Sequence, residues 1–237
     1  MRANQIHSSV MSDEQQIGFS TILASTIHEV KNSLGVVLNS LDELLCSNEV
    51  TQPVDRLVKL RCEAQRVNDN LVQLLALYKM ENQGLALNID EYFVHDFLEE
   101  VLAAEKVVLE TRGIELEIRC LNDLAWYFDR ELIAGALKNA VNNALRHARS
   151  KVLVTAEERD QYLVISVNDD GDGYARGMPT NGLQSGHGVN FSSGNTGLGL
   201  YFTSKVAELH KNKDRRGSIE LDNGRALGGA CFSIKLP

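Results

Sequence analysis

Residues 167–174 read V-N-D-D-G-D-G-Y, and residues 194–201 read G-N-T-G-L-G-L-Y. Glycine at this density weakens a helix or a strand, so the stretch from Val167 to Tyr201 calls for irregular backbone that comes close to a ligand. Glycines leading into a helix N-terminus offer their N–H groups to an anion, which makes phosphate the expected ligand. No Gly-Lys-Ser/Thr follows, so this is not a Walker loop. No strand runs straight into the second glycine run, so it is not a Rossmann fingerprint either. The stretch reads as two walls of a nucleotide pocket joined by a loop over Tyr174–Asn195.

The flanking sequence supplies the scaffold. Lys151–Ala156 and Tyr162–Val167 read as strands, and Leu198–His210 as a helix. Upstream, Tyr92–Val94 and Trp126–Phe128 are short β candidates and Ile114–Ile118 alternates as a half-buried strand. Asp96–Thr111 is an amphipathic helix closed by Gly113, and Asp129 caps a helix running to about His147. Downstream, Ser218–Leu221 and Ala230–Leu236 read as a hairpin across D-N-G-R-A-L-G-G. Helices accompanying a mixed sheet give an α/β sandwich of two layers over residues 88–237.

The first third has a different texture. Residues 1–14 read as a flexible N-terminus. Leu23, Ile27, Val30, Leu34, Val37, Leu41 and Leu44 then recur at alternating gaps of four and three, a heptad seam on one helix. Pro53 suits the first turn of a second helix, whose seam is Leu57, Leu60, Ala64, Val67, Leu71, Leu74 and Tyr78. Residues 15–83 therefore read as an antiparallel helical hairpin. Two helices cannot bury stripes this long, so a second copy completing a four-helix bundle is the expected solution, and packing of both stripes on the C-terminal domain is the alternative. The fold class is α+β, and the linker lies near Gln83–Leu87.

With 237 residues and 43% hydrophobic content the chain can build a proper core. Its net charge of −8 argues against nucleic acid or an anionic membrane as the main partner. No run approaches the ~20 apolar residues that span a bilayer, and the N-terminus lacks a signal-peptide core, so a cytoplasmic chain without direct membrane insertion is expected. Cys46, Cys62, Cys120 and Cys231 are widely spaced and read as buried free thiols. His7, His95, His187 and His210 have no metal-ligand spacing and receive no site.

Four short motifs carry chemistry. In T-I-H-E-V-K-N-S-L, His28 sits at the margin of the apolar face beside Glu29, with Asn32 one turn on. A neutral exposed imidazole is a competent nucleophile and the carboxylate can take its proton, although such a histidine is commonly a plain surface residue. In L-K-N-A-V-N-N-A-L-R-H-A, Asn139 and Asn143 share a helical face, with Arg146 and His147 a turn further. Amide oxygens suit Mg²⁺ between phosphates and the neighbouring cation and donor suit phosphate oxygens, but the pair can equally be a polar helix face. In D-D-G-D-G, a strand-end carboxylate can accept from an exocyclic amine such as that of adenine, with Gly171 and Gly173 admitting the base, or the run is a simple turn. G-N-T-G-L-G-L is the fourth, with the phosphate-facing N–H groups already described.

Their order and spacing resemble the sensor histidine kinases of two-component systems, within the wider ATPase group that includes DNA gyrase B and MutL. H-E-V-K-N-S-L matches the phosphoacceptor box, N-A-V-N-N-A-L-R-H-A the N box, and D-D-G-D-G and G-N-T-G-L-G-L the two glycine boxes. The ending G-G-A-C-F-S-I-K-L-P is similar to the family's final strand. The resemblance covers about residues 20–237 and implies a dimeric phosphoacceptor hairpin followed by a Bergerat-type ATP-binding domain. It implies that His28 accepts the γ-phosphoryl of ATP with Glu29 as acid/base partner, and that Asn32 positions water for dephosphorylation. It further implies that Asn143 coordinates Mg²⁺ with support from Asn139, and that Arg146 and His147 lie near the phosphates. Asp169 would bind the adenine amine, Gly171 and Gly173 would frame the base, and Thr196, Gly197, Leu198, Gly199 and Leu200 would close over the phosphates. The implied partner is the receiver domain of a response regulator.

The chain departs from the family's pattern in three ways: Ser33 replaces the usual proline, Phe191 is the only Phe between the glycine boxes, and no sensor or transmembrane segment is recognisable before the hairpin. A phosphotransfer, phosphatase or scaffold protein of the same pathway is the alternative function, and another ATPase of the wider group is a third. The bundle makes a direct prediction: a fragment ending near Gln83 sediments as a dimer, and a monomeric fragment that keeps its helicity would refute it.

Overall fold

The computed structural model describes residues 30–39, 53–82, 85–174 and 198–237. The chain divides into two compact units, one built mainly on residues through Leu85 and the other on Ala86 onward. In the first, α1 covers residues 30–39 and α2 runs Pro53–Asn82, with the proline opening the helix as its fixed φ allows. Among the described residues, each expected seam is only partly covered. Val30, Val37, Val67 and Leu74 are half-buried, whereas Leu34 and Leu71 are both 48% exposed and Tyr78 is 47% exposed. The buried positions include Ser33, Gln73 and Leu77, so the buried face is shifted from the heptad stripe and includes polar side chains.

The second unit holds the remaining elements. β1 (Ile89–Phe93) pairs antiparallel with β3 (Ala125–Asp129). Between them lie α3 (Val94–Thr111) and β2 (Glu115–Cys120), and α4 (Arg130–His147) follows β3 directly. β4 (Lys151–Arg159), β5 (Tyr162–Asp169), α5 (Leu198–Leu209), β6 (Lys211–Asn212), β7 (Arg215–Arg216), β8 (Ser218–Asn223) and β9 (Ala230–Leu236) complete the described order. The main sheet runs β2-β4-β5-β9-β8, with β2 and β4 parallel and every other pair antiparallel. This is the mixed sheet expected, and α3 and α4 pack against it.

Two-residue alternation gives the sheet one apolar face. Leu116, Val152, Val154, Ala156, Ile165, Val167, Phe232, Ile234, Ile219 and Leu221 share it through the strand registers, and all are buried. The other face carries a Glu117–Lys151 ion pair at 2.6 Å, a Glu220–Lys235 ion pair, and a buried hydroxyl pair between Ser166 and Ser233 at 2.8 Å.

Several boundaries differ from expectation: β2, β4, β5 and β8 run two or three residues further, to Cys120, Arg159, Asp169 and Asn223. The first strand begins at Ile89 rather than Tyr92, and Val94 opens α3 instead of ending the strand. Phe93 makes no side-chain cap. The helix start is fixed by the Val94 N–H donating to Leu124 O at 2.9 Å and by complete burial of the Val94 side chain. The β6–β7 hairpin was not expected, because K-N-K-D-R-R has no apolar alternation to mark it. Cys231 is buried as expected, whereas Cys120 is only half-buried.

Asp129 and His210 tie the start of α4 to the end of α5. The Asp129 carboxylate caps α4 by accepting from Leu132 N–H at 3.1 Å, and its second oxygen accepts from Asn88 N–H at 2.9 Å. His210, directly after α5, is 3% exposed and accepts the Asp129 backbone N–H at Nε2, 3.0 Å away. Its proton therefore sits on Nδ1, which donates to Val206 O at 2.7 Å. Sequence reading assigned this histidine no site; it is a structural clasp.

Burial pushes the His210 pKa below its ordinary 6.5, against the opposing effects of the Val206 hydrogen bond and the Asp129 charge. As pH falls, the unfolded chain therefore takes up the proton first, so the clasp's stability is complete above 6.5 and drains below it. Denaturation midpoints should fall from about pH 8 to about pH 5, and fall less in His210→Gln. His210→Leu, which leaves the Asp129 N–H without its acceptor, should cost about 1–3 kcal/mol at neutral pH.

Candidate functional site

Asp169 is the centre of the site. It follows Ile165 and Val167 at two-residue spacing, so it lies on the apolar face of β5 and is only 4% exposed. Its Oδ1 accepts the N–H groups of Gly171 at 2.9 Å and Ala230 at 3.1 Å, and its backbone carbonyl accepts Gly229 N–H at 3.1 Å. No other hydrogen bond to this carboxylate forms among the described residues, which leaves acceptor capacity for an amine.

The backbone around Asp169 leaves no room for side chains. A Cβ on Gly229 would lie 2.5 Å from Asp169 Oδ1, from the Asp169 carbonyl oxygen and from Gly171 N. A Cβ on Gly171 would lie 2.3 Å from the carbonyl oxygen of His147, the last residue of α4. Gly229 was not singled out from sequence, although the Gly228-Gly229 pair before the last strand was its visible signal.

The two other aspartates of the motif brace the loop. Asp170 accepts Arg149 N–H at 2.7 Å, Ser150 N–H at 3.0 Å and Ser150 Oγ–H at 2.5 Å. Burial acts to raise its pKa, but these hydrogen bonds and that from the Lys151 N–H prevail and hold it well below the usual carboxylate range. Asp172 pairs with the Arg149 guanidinium. Beyond them Gly173 takes the left-handed φ of +79°, and the Tyr174 N–H donates to Asn223 Oδ1 at 2.8 Å. The Tyr174 hydroxyl is pushed well above its ordinary pKa by burial, then by the charge of Asp169 and by Cys231.

α4 forms the second wall. Its buried face carries Ile133, Ala136, Leu137, Ala140, Val141, Ala144 and Leu145. Asn139 and Asn143 flank that face and are half-buried, while Arg146 and His147 are exposed in the last turn. Asn139 Nδ2 donates to Gly199 O at 3.4 Å, and a Cβ on Gly199 would meet its carboxamide carbon at 3.3 Å. Thr203 Oγ1–H donates to the same carbonyl at 2.8 Å, a bond not foreseen from sequence. The first turn of α5, with Gly199 and half-buried Leu200, is thus set against the asparagine face of α4.

The structure brings Asp169 and Gly171 to the end of α4 through His147, and Asn139 to Gly199. Gly173 lies on the same loop as Gly171, and Leu198 opens α5. Asn32 lies on α1 and is exposed. His28, Glu29, Thr196 and Gly197 lie outside the described residues. A cleft of about 630 Å³ beside the β6–β7 hairpin, with Trp126, Tyr127, Lys211 and Arg215 in its lining, contains none of the motif residues.

Comparison with known proteins fits this geometry. Residues 128–237 match the family described as Histidine kinase-, DNA gyrase B-, and HSP90-like ATPase. The sensor-like histidine kinase SenX3 of Mycobacterium tuberculosis is 25% identical over 222 residues, covering 91% of this chain and 53% of that protein. The sensor protein kinase PilS of Pseudomonas aeruginosa is 28% identical over 231 residues, covering 92% of this chain and 40% of that protein. The chain spans about half the length of the curated relatives it matches. Among solved structures, the Acinetobacter baumannii histidine kinase AdeS superposes with a TM-score of 0.65 at 22% identity, over 88% of this chain and 96% of that one. The histidine kinase ThkA, solved in complex with the response regulator protein TrrA, gives 0.66 at 17% identity over 100% of this chain and 67% of that one. These structural likenesses concern the fold. Residues 128–237 are therefore a member of the histidine kinase, gyrase B and HSP90-like ATPase family, and the chain that carries them is a relative of the sensor histidine kinases.

Proposed function

We propose that the chain is an ATP-dependent protein-histidine kinase that phosphorylates its own His28 and hands the phosphoryl group to an aspartate of a response regulator receiver domain. The observation that carries this reading is the convergence around Asp169: a buried carboxylate with spare acceptor capacity, ringed by glycines that no Cβ could replace, beside a helix end and an asparagine face. That arrangement fits a flat base carrying an amine.

Phosphoryl transfer demands mainly positioning and charge neutralisation, and these residues are suited to supply both. Asp169 accepts from the base amine, and the Gly171–Gly173 backbone lets the base lie close. Asn139 and the N–H groups at Gly199 and Leu200 sit where phosphates are held, with Thr196, Gly197 and Leu198 preceding them. Arg146 and His147 offer a cation and a donor at the end of the same asparagine face. No group of three or more His, Cys, Asp or Glu side chains among the described residues could hold a metal, so Mg²⁺ would rest on the Asn143 amide oxygen and the phosphate oxygens. Such an ion supplies charge neutralisation between phosphates.

At His28 a ring nitrogen forms the new bond to phosphorus as the bond to ADP breaks, and Glu29 takes the ring proton. Asn32 orients water for removal of the phosphoryl group from the regulator. Residues 15–83 form the dimerisation and phosphoacceptor hairpin, 88–237 the catalytic domain, and the partly exposed Leu34, Leu71 and Tyr78 support burial of the seam by a second copy. No described helix is long and apolar enough to cross a membrane.

Incubation with γ-labelled ATP and Mg²⁺ tests the reading. Acid-labile, alkali-stable label should appear in the wild type, vanish in His28→Gln and vanish in Asn143→Asp with the dimer intact. ATP binding without label would instead favour a phosphotransfer or phosphatase protein. Gly229→Ala should abolish ATP binding in equilibrium titration and lower the unfolding free energy by about 1–3 kcal/mol, because the new methyl collides with Asp169 and Gly171 N.

A further inference from the structure

The loop from Asp169 to Tyr174 is gripped at both ends by one part of the molecule, the turn end of the β8–β9 hairpin. At its start, Gly229 and Ala230 supply the N–H groups that bind Asp169. At its end, the Asn223 carboxamide binds Tyr174 twice: Oδ1 accepts the Tyr174 N–H at 2.8 Å, and Nδ2 donates to the Tyr174 carbonyl at 3.0 Å. Asn223 and Ala230 are themselves paired across the hairpin, so both grips belong to one rigid piece of sheet.

The fit to asparagine is narrow. A carboxamide is the side-chain equivalent of a peptide group, and it bonds Tyr174 as a neighbouring strand would. Gly173 lies against it in the left-handed region, where a Cβ would stand 2.8 Å from Asn223 Oδ1. Aspartate has no donor for the Tyr174 carbonyl, and leucine has neither group. Asn223 is itself exposed, so its removal leaves Tyr174 N–H and C=O accessible to water rather than stranded in a core. Its two bonds therefore contribute more to where the loop sits than to whether the domain folds.

We propose that Asn223 is a positioning residue of the nucleotide site, holding the Gly171–Gly173 backbone at the distance from Asp169 that a bound adenine requires. This rests on the assignment of the Asp169 site to a nucleotide. The loss falls on recognition of the base: a loop freed at its far end still binds phosphate through α5 but no longer fixes the edge and plane of the ring.

Calorimetric titration of the whole chain with Mg·ATP and Mg·GTP, alongside thermal unfolding, tests this. Asn223→Asp should bind Mg·ATP about ten-fold more weakly, narrow the preference for ATP over GTP, and keep the wild-type binding stoichiometry and a near-wild-type melting temperature. Gly173→Ala, which presses on the same contact from the other side, should give the same narrowing. Unchanged affinity and preference in both variants would overturn the proposal, as would a fall in stoichiometry and melting temperature with unchanged affinity in the folded fraction. Failure of the wild type to bind Mg·ATP would overturn the nucleotide assignment itself, and the role of Asn223 with it.

Discussion

A carboxylate buried at the end of a strand is the constraint on which the second unit depends. Alternation along β5 puts Asp169 on the same face as Ile165 and Val167, where an unpaired charge would be costly. Two backbone N–H groups meet that cost, and both come from segments that must approach within hydrogen-bond distance of the strand end. Such an approach excludes side chains, which accounts for Gly171 and Gly229 together. The glycines are thus a consequence of satisfying the aspartate.

The wall opposite is equally well braced. α4 is capped at its start by Asp129, whose own N–H is taken by His210 from the end of α5. Its last carbonyl lies against Gly171, and the turn after it is bound by Asp170 through Arg149 and Ser150. A helix held at both ends presents Asn139 and Asn143 at fixed positions, and Asn139 in turn meets the first turn of α5. Positioning of this kind is what phosphoryl transfer asks of a protein.

The helical unit obeys a different economy. Its seams combine half-buried valines with leucines and a tyrosine left about half exposed, while Ser33 and Gln73 are buried. A heptad pattern records the total apolar stripe, summed over every surface that a helix will meet. Among the described residues, this chain covers part of that stripe.

Much of the architecture was legible because local chemistry forced it. Asp129 as a cap, Pro53 as a helix opener, the strands at Lys151 and Tyr162 and the final hairpin all follow from capping, φ restriction and alternation that act within a few residues. The same alternation marks Asp169, and neither Asp170 nor Asp172, as the buried acid. The start of α3 at Val94, the β6–β7 hairpin, the His210 clasp, the need for glycine at 229 and the Asn223 grip on Tyr174 were not legible. The β6–β7 hairpin is local but has no apolar alternation to mark it; the others join groups far apart in sequence: 81 residues for His210 and Asp129, 49 for Asn223 and Tyr174. By itself the sequence determined which residue types are available for chemistry and, among the described residues, which elements bear them, because residue type and short-range periodicity are local properties. Only the tertiary structure decided which backbone groups satisfy Asp169 and what holds its loop, because a hydrogen bond depends on distance in space and takes no account of separation along the chain.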